Sequence, residues 1–212
     1  MNKDKLQPEG GWILSSKPHL PVPDVSERGV RFRGLSLVSG LFGRKEIPGV
    51  LSTLNINPRL FWPWLYFASK LMPFGRLAAS DREKIILRTA WNCRSRYEWG
   101  QHLEIAQSAG VSDEEVVKVS MGPIAFADRH EKALIQACDD IFTRKCMSDA
   151  TWDILAEKFR KDILIEIVIL IGHYEMIAGF LNTAGIALEA PIEENLQAFH
   201  RRLRDQDISP GA

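Results

Sequence analysis

Residues 80–110 read SDREKIILRTAWNCRSRYEWGQHLEIAQSAG, and this stretch decides the fold. Ile85, Ile86, Leu87, Ala90 and Trp91 recur at the spacing of one helix face. The pattern breaks near Asn92–Arg94 and resumes in a second helix that ends at Gly110, read as a C-cap glycine. Two S-x-x-E capping boxes open these helices, Ser80 with Glu83 and Ser95 with Glu98, and a third, Ser112 with Glu115, opens the next. Boxes this closely spaced predict short helices joined by tight turns.

The same periodicity continues outward. Asn57-Pro58 offers an N-cap and a first-turn proline for a helix from about Pro58 to Met72. Its Phe61, Trp62, Trp64, Tyr66 and Phe67 cover more than one face, and Pro63 lies near its start. A shorter helix is expected near residues 48–54. Downstream, Asp128 and Ser148 are placed to cap helices, and Asp162 precedes a long apolar helix from Ile163 to about Ala184, closed by Gly185. No stretch alternates with period two over strand length, so the expected class is all-α. Residues 35–190 form the expected helical domain. Residues 1–34, with Pro8, Gly10, Gly11, Pro18, Pro21 and Pro23, predict an extended arm, either disordered or laid on a neighbouring subunit through Trp12, Ile13 and Leu14. Residues 191–212 predict a polar tail holding one more helix, 193–204.

Lys plus Arg and Asp plus Glu balance at 27 each, which gives no electrostatic case for nucleic acid or an anionic membrane as partner. Cys93, Cys138 and Cys146 show neither a CxxC pair nor zinc spacing. Reduced thiols and a cytoplasmic location are expected, with no metal. The run Ile163–Ile171 contains Glu166 and reads as a buried helix, too short and polar to span a bilayer.

Ser95, Glu98 and His102 fall at i, i+3 and i+7 on one stripe of the second helix. A carboxylate one turn before an imidazole can orient the ring and fix its tautomer, which makes His102 an acid–base group. Glu83 from the preceding helix would add a second carboxylate. The structural alternative is complete: two capping boxes account for Ser95, Glu98 and Glu83, and Glu98 with His102 could be a surface pair. Tyr97 lies about 100° round the helix. Trp91 and Trp99 could wall an apolar pocket. His173 and Tyr174, inside the long apolar helix, either belong to the core or face His102.

The spacing Glu83, eleven residues, Ser95, two residues, Glu98, three residues, His102 resembles the carboxymuconolactone decarboxylase and alkylhydroperoxidase AhpD-like superfamily. Members similar to AhpD carry a redox cysteine pair at the two positions held here by Ser95 and Glu98. The phrases ILRTAW, YEWGQH, IAQSAGVSDEEV and, at residues 170–186, LIGHYEMIAGFLNTAGI resemble its decarboxylase-like branch. The resemblance implies an AhpD-like bundle of about six to eight helices, assembled as a homotrimer or homohexamer. It also implies a cofactor-free, non-redox lyase acting on a small organic acid or lactone. Glu83, Glu98 and His102 would be catalytic, with Ser95, Tyr97, Trp99, His173 and Tyr174 around the substrate. A disulfide cycle needs an attacking thiolate and a resolving thiol, which Ser95 and Glu98 cannot supply. Two alternatives remain open: a hydroperoxidase working through Cys93, and a family member that binds a ligand without catalysis.

Overall fold

The computed structural model describes residues 6–29, 32, 34 and 47–205. The expected start of the helical domain at residue 35 and the end of the tail, residues 206–212, lie outside the described residues. Nine α-helices and no strand occur among the described residues: α1 (Gly49–Leu54), α2 (Pro58–Leu71), α3 (Ala79–Asn92), α4 (Arg96–Ser108), α5 (Asp113–Met121), α6 (Arg129–Arg144), α7 (Asp149–Lys158), α8 (Lys161–Ala184) and α9 (Ala190–Asp205). The all-α class is as expected, with more helices than the six to eight foreseen.

Helix α3 is the axis of the molecule and packs against α4, α5, α6 and α8. One side of it joins a cluster with α4, α5 and α9 through Leu87, Trp91, Trp99, Leu103, Val116 and Phe199. The other joins α6, α7 and α8 through Ile85, Ile86, Leu134, Leu155, Ile167 and Leu170. A helix covered on both sides also buries its charged residues, and these must be paired. Lys84 lies 2.6 Å from Glu115 and 2.7 Å from Glu131. Arg88 grips Asp139 with two N–H···O bonds of 2.7 and 2.8 Å and donates to the carbonyls of Val119 and Ser120, tying α3 to the end of α5.

Of the three expected capping boxes, only the third forms: Ser112 Oγ accepts from Glu115 N–H at 3.2 Å and Glu115 accepts from Ser112 N–H at 2.9 Å. Helix α3 begins at Ala79 with Ala78 in the cap position, so Ser80 is already helical. Ser95 holds the cap position of α4, but its side chain makes no capping bond. Asp128 and Ser148 do cap α6 and α7.

Within the N-terminal segment, residues 6–24 lie on their own chain. Arg94, at φ 55°, turns its guanidinium to the carbonyls of Gly10 and Gly11, and its own carbonyl accepts from Ile13 N–H at 3.0 Å. Trp12 then stacks against Trp91 and Trp99, at ring-centre distances of 5.5 and 5.8 Å. Further along, His19 and Leu20 N–H groups bond the Ala184 carbonyl at the end of α8. There Gly185, at φ 71°, leaves no room for a Cβ, which would fall 2.8 Å from Ser15 Cβ.

Helix α8 runs 24 residues and is long and apolar enough to cross a membrane by length and composition, contrary to the reading of its first half alone. In the fold it is a packing helix, set against α3, α4, α6 and α7. Its Glu166 accepts from the N–H groups of Arg76 and Leu77 at 2.9 Å each, which fastens the α2–α3 connection.

Candidate active site

The packing of α3 on α4 brings Glu83 and His102 together, and α8 lays Tyr174 across them. Glu83 is fully buried and His102 is 7% exposed. His102 Nδ1 sits 2.8 Å from Glu83 Oε2, and the other carboxylate oxygen accepts from Arg82 Nε at 3.0 Å. Burial works to raise the Glu83 carboxyl, but the charge and hydrogen bond of His102, together with Arg82, outweigh it and hold the group below the ordinary carboxylate range. An ionised Glu83 accepts only, so His102 Nδ1 carries the hydrogen and Nε2 is left with the exchangeable position. The ring of Tyr174 meets that of His102 edge-on at 5.0 Å.

Glu98 behaves oppositely. It is 2% exposed, and neither carboxyl oxygen has a hydrogen-bond partner among the described residues. Burial pushes its carboxyl well above the usual range and so favours the neutral acid. This corrects the expected pairing: the residue that orients His102 is Glu83, reached across two helices, and Glu98 makes no bond to the ring. The buried Ser95 Oγ, at the head of the same helix, is also unpaired.

His173 precedes Tyr174 on α8, with ring centres 5.3 Å apart. Trp64 stacks on it at 5.9 Å and 13°, and Phe67 lies 5.6 Å away. Burial lowers the His173 imidazole to about 4, so it is neutral at pH 7. His173 Nδ1 and Trp64 Nε1 are both buried without partners. The site is therefore built by α2, α3, α4 and α8, with aromatic rings on one side and carboxyl groups on the other.

Two expected pocket residues lie elsewhere. Tyr97 donates to Glu189 Oε1 at 2.8 Å and accepts from Val50 N–H at 3.2 Å, which locks α4 to the start of α9 and to α1. Its position about 100° round the helix from Glu98 sends it there. Trp99, fully buried, packs at 5.1 Å against Trp91 and at 5.8 Å against Trp12 in the α3–α4–α9 core. One residue of the site went unread in the sequence: Arg82 stands within S-x-x-E and passes for first-turn helix surface, yet it is 7% exposed.

Two cavities among the described residues lie away from the site. A cleft of about 1070 Å³ is bounded by Pro21–Asp24, Glu27–Gly29, Ser52, Asn55 and Trp62, and a smaller one of about 190 Å³ by Leu14, Tyr97, Leu181 and Leu188. Neither touches Glu83, Glu98 or His102. The mismatch is expected of a site closed by side chains, so the unpaired buried polar atoms mark it better than volume does.

Of the cysteines, Cys93 ends α3 half-buried, Cys138 is buried and Cys146 exposed, all free. Burial above all pushes the Cys93 thiol up to about 12.

Residues 58–137 match the model of the Carboxymuconolactone decarboxylase family. No protein of curated function matches the chain by sequence. Among solved structures, an uncharacterized peroxidase-related protein from Ralstonia eutropha JMP134, described as an alkylhydroperoxidase AhpD core, superposes with TM-score 0.72 at 18% identity, over 82% of this chain and 94% of that one. A peroxidase-related protein from Silicibacter sp. TM1040 gives 0.72 at 11% identity, over 84% and 96%. The debrominase Bmp8, solved in complex with 2,3,4-tribromopyrrole, gives 0.68 at 14% identity, over 87% and 99%. These solved structures share the helical fold across most of the chain, and the match to the Carboxymuconolactone decarboxylase family model falls on residues 58–137, from α2 into α6.

Proposed function

We propose that the protein is a non-redox enzyme that moves protons on a compact organic acid or lactone, in the manner of a decarboxylase. The observation that carries this reading is the contrast between two buried carboxyls, Glu83 bonded to His102 and Arg82 and Glu98 without a partner on either oxygen, which holds the first below the ordinary carboxylate range and raises the second above it. Environments that drive two carboxyls apart suit one to orient a base and the other to deliver a proton. In this scheme His102 Nε2 exchanges the substrate proton while Glu83 steadies the imidazolium. The bond to the departing carboxylate breaks, carbon dioxide leaves, and the electron pair remains as an enolate. Glu98 or the His102 imidazolium then protonates the enolate at carbon. The partnerless oxygens of Glu98 are where a reacting group would find its donor.

The state of Cys93 also favours this reading over a hydroperoxidase. A thiol held at about 12 is almost entirely protonated at pH 7, and the thiolate is the nucleophile. The proposal includes assembly into a homotrimer or homohexamer, because α2 and α8 expose Leu60, Tyr66, Phe67, Ile165, Ile169 and Met176, each 43–70% accessible.

The reaction is tested in D2O with a panel of small lactones and 3-oxo acids, reading deuterium at the carbon next to the carboxyl. Wild type should incorporate label and His102→Ala should not, with helical circular dichroism unchanged. Full incorporation by His102→Ala, or peroxide consumption abolished by Cys93→Ser, would sink the assignment. Light scattering that returns a monomer would refute the assembly.

A further inference from the structure

The guanidinium of Arg82 is spent on one bond. Its Nε donates to Glu83 Oε1 at 3.0 Å, and no other hydrogen bond reaches the side chain among the described residues. The side chain is 9% exposed, so bulk water reaches the four N–H donors on its two terminal nitrogens only sparingly. Neither nitrogen is among the fully enclosed polar atoms without partners, which are Glu98 Oε1 and Oε2, Ser95 Oγ, Trp64 Nε1 and a few others. Both therefore keep some accessible surface. Glu83 bridges Arg82 Nε at 3.0 Å and His102 Nδ1 at 2.8 Å, which sets the guanidinium one carboxylate away from the imidazole.

A buried arginine with a planar fork left open is matched by a carboxylate, whose two oxygens accept a parallel pair of N–H bonds. The surrounding charges agree. Glu83 divides its one negative charge between Arg82 and His102, and burial favours the neutral form of the unpartnered Glu98, so Glu98 adds no second negative charge against an incoming carboxylate. Leaving such a fork unmet costs more than an ordinary lost hydrogen bond, because a buried ion has been taken from water. Helix stability does not require it: an arginine at this position of α3 could reach solvent if it faced outward.

We infer that Arg82 is the anion anchor of the site, holding a carboxylate of the substrate through its terminal guanidinium nitrogens. The inference rests on the proposed active site and narrows it to carboxylate-bearing ligands. The carboxylate held is one the reaction leaves in place, because a guanidinium on a departing carboxylate would stabilise the ground state more than the transition state. Arg82 thus sets the orientation from which His102 and Glu98 exchange protons.

The test follows the guanidinium itself. Full-length protein labelled with 15N-arginine is titrated with acetate and with acetamide at pH 7, and the Arg82 side-chain resonances are assigned by their loss in Arg82→Lys. Acetate should shift them saturably in the millimolar range, and acetamide, equal in shape but uncharged, should not. His102 ring resonances should report acetate binding at least tenfold weaker in Arg82→Lys, which keeps the charge and loses the fork, and in Arg82→Gln. Equal response to acetate and acetamide, no response to either, or unchanged acetate affinity in Arg82→Lys would overturn the inference. His102→Ala should bind acetate normally. Loss of deuterium incorporation with acetate binding intact would refute the proposed reaction alone, and incorporation unaffected by Arg82→Lys would refute the anchor alone.

Discussion

His102 and Glu83 stand 19 residues apart in sequence and 2.8 Å apart in the fold, whereas Glu98, one turn from His102 on the same helix, leaves both its oxygens unbonded. The long-range pair fixes the imidazole; the local pair does not form. From this relationship the behaviour of each carboxyl can be argued separately.

Glu83 is held below its ordinary value of 4.5 in the folded chain. A carboxyl depressed by folding contributes stability above its unfolded value, and that contribution is lost as pH falls through the folded value. Glu83→Gln should therefore cost about 1–3 kcal/mol at pH 7, the loss of a charge-assisted bond to a buried partner. Urea denaturation should show the gap to wild type closing below pH 4.5. Turnover should fall together with stability, since the His102 tautomer is no longer enforced.

Glu98 has the reverse sign. Its carboxyl is raised by burial, so the folded state binds a proton that the unfolded state releases, and stability is lost as pH rises above about 4.5. Glu98→Gln removes that penalty. The variant should be more stable than wild type at pH 7, by about 1–3 kcal/mol or a few degrees in Tm, and equal to it near pH 4. It should be impaired in deuterium incorporation. A variant less stable than wild type at neutral pH would show that Glu98 is ionised in the folded chain.

His173 titrates near 4 when folded and near 6.5 when unfolded. Between these values the unfolded chain binds more protons, so stability falls as pH drops from 6.5 to 4, by up to about 3 kcal/mol. His173→Phe, which keeps a ring between Trp64 and Tyr174, should flatten this part of the stability profile. A slope identical to wild type would contradict the burial of His173 in its neutral form.

Arg94 binds the Gly10 and Gly11 carbonyls from a left-handed backbone, φ 55°. Arg94→Ala and Arg94→Gly both lose those bonds, at about 1–3 kcal/mol. Only glycine relieves the left-handed conformation, so Arg94→Gly should be the more stable of the two by about 1 kcal/mol. In both, Trp12 should loosen from Trp91 and Trp99, and tryptophan emission should move to the red.

The helices and most of their ends were legible in the sequence because they rest on local signals: the apolar period of 85–91, the Asp128 and Ser148 caps, the glycine after α8. The site was half legible. The spacing drew attention to Glu83, Glu98 and His102, but the same letters, S-x-x-E twice over, also spell a cap. Only packing distinguishes the two, because α3 starts one residue before Ser80 and buries Glu83 against α4. The roles of the two glutamates were exchanged for a related reason: a one-turn spacing suggests a contact, while the contact that forms depends on which helix lies opposite. Tyr97 and Trp99 fell outside the site because neighbours on a helix point about 100° apart. Arg82 was missed because nothing in a sequence marks an arginine as buried.

The docked N-terminal segment has a consequence for what counts as the folding unit. The family match covers residues 58–137, yet Trp99 and Leu103 within that span share one core with Leu6 and Trp12 before it and with Leu196 and Phe199 after it. The recognisable piece is thus smaller than the autonomous one. Both ends of the chain close over the same pair of helices, so excising the matched span would leave indole and leucine surfaces without cover, and the signature motif would be retained in a chain that no longer folds.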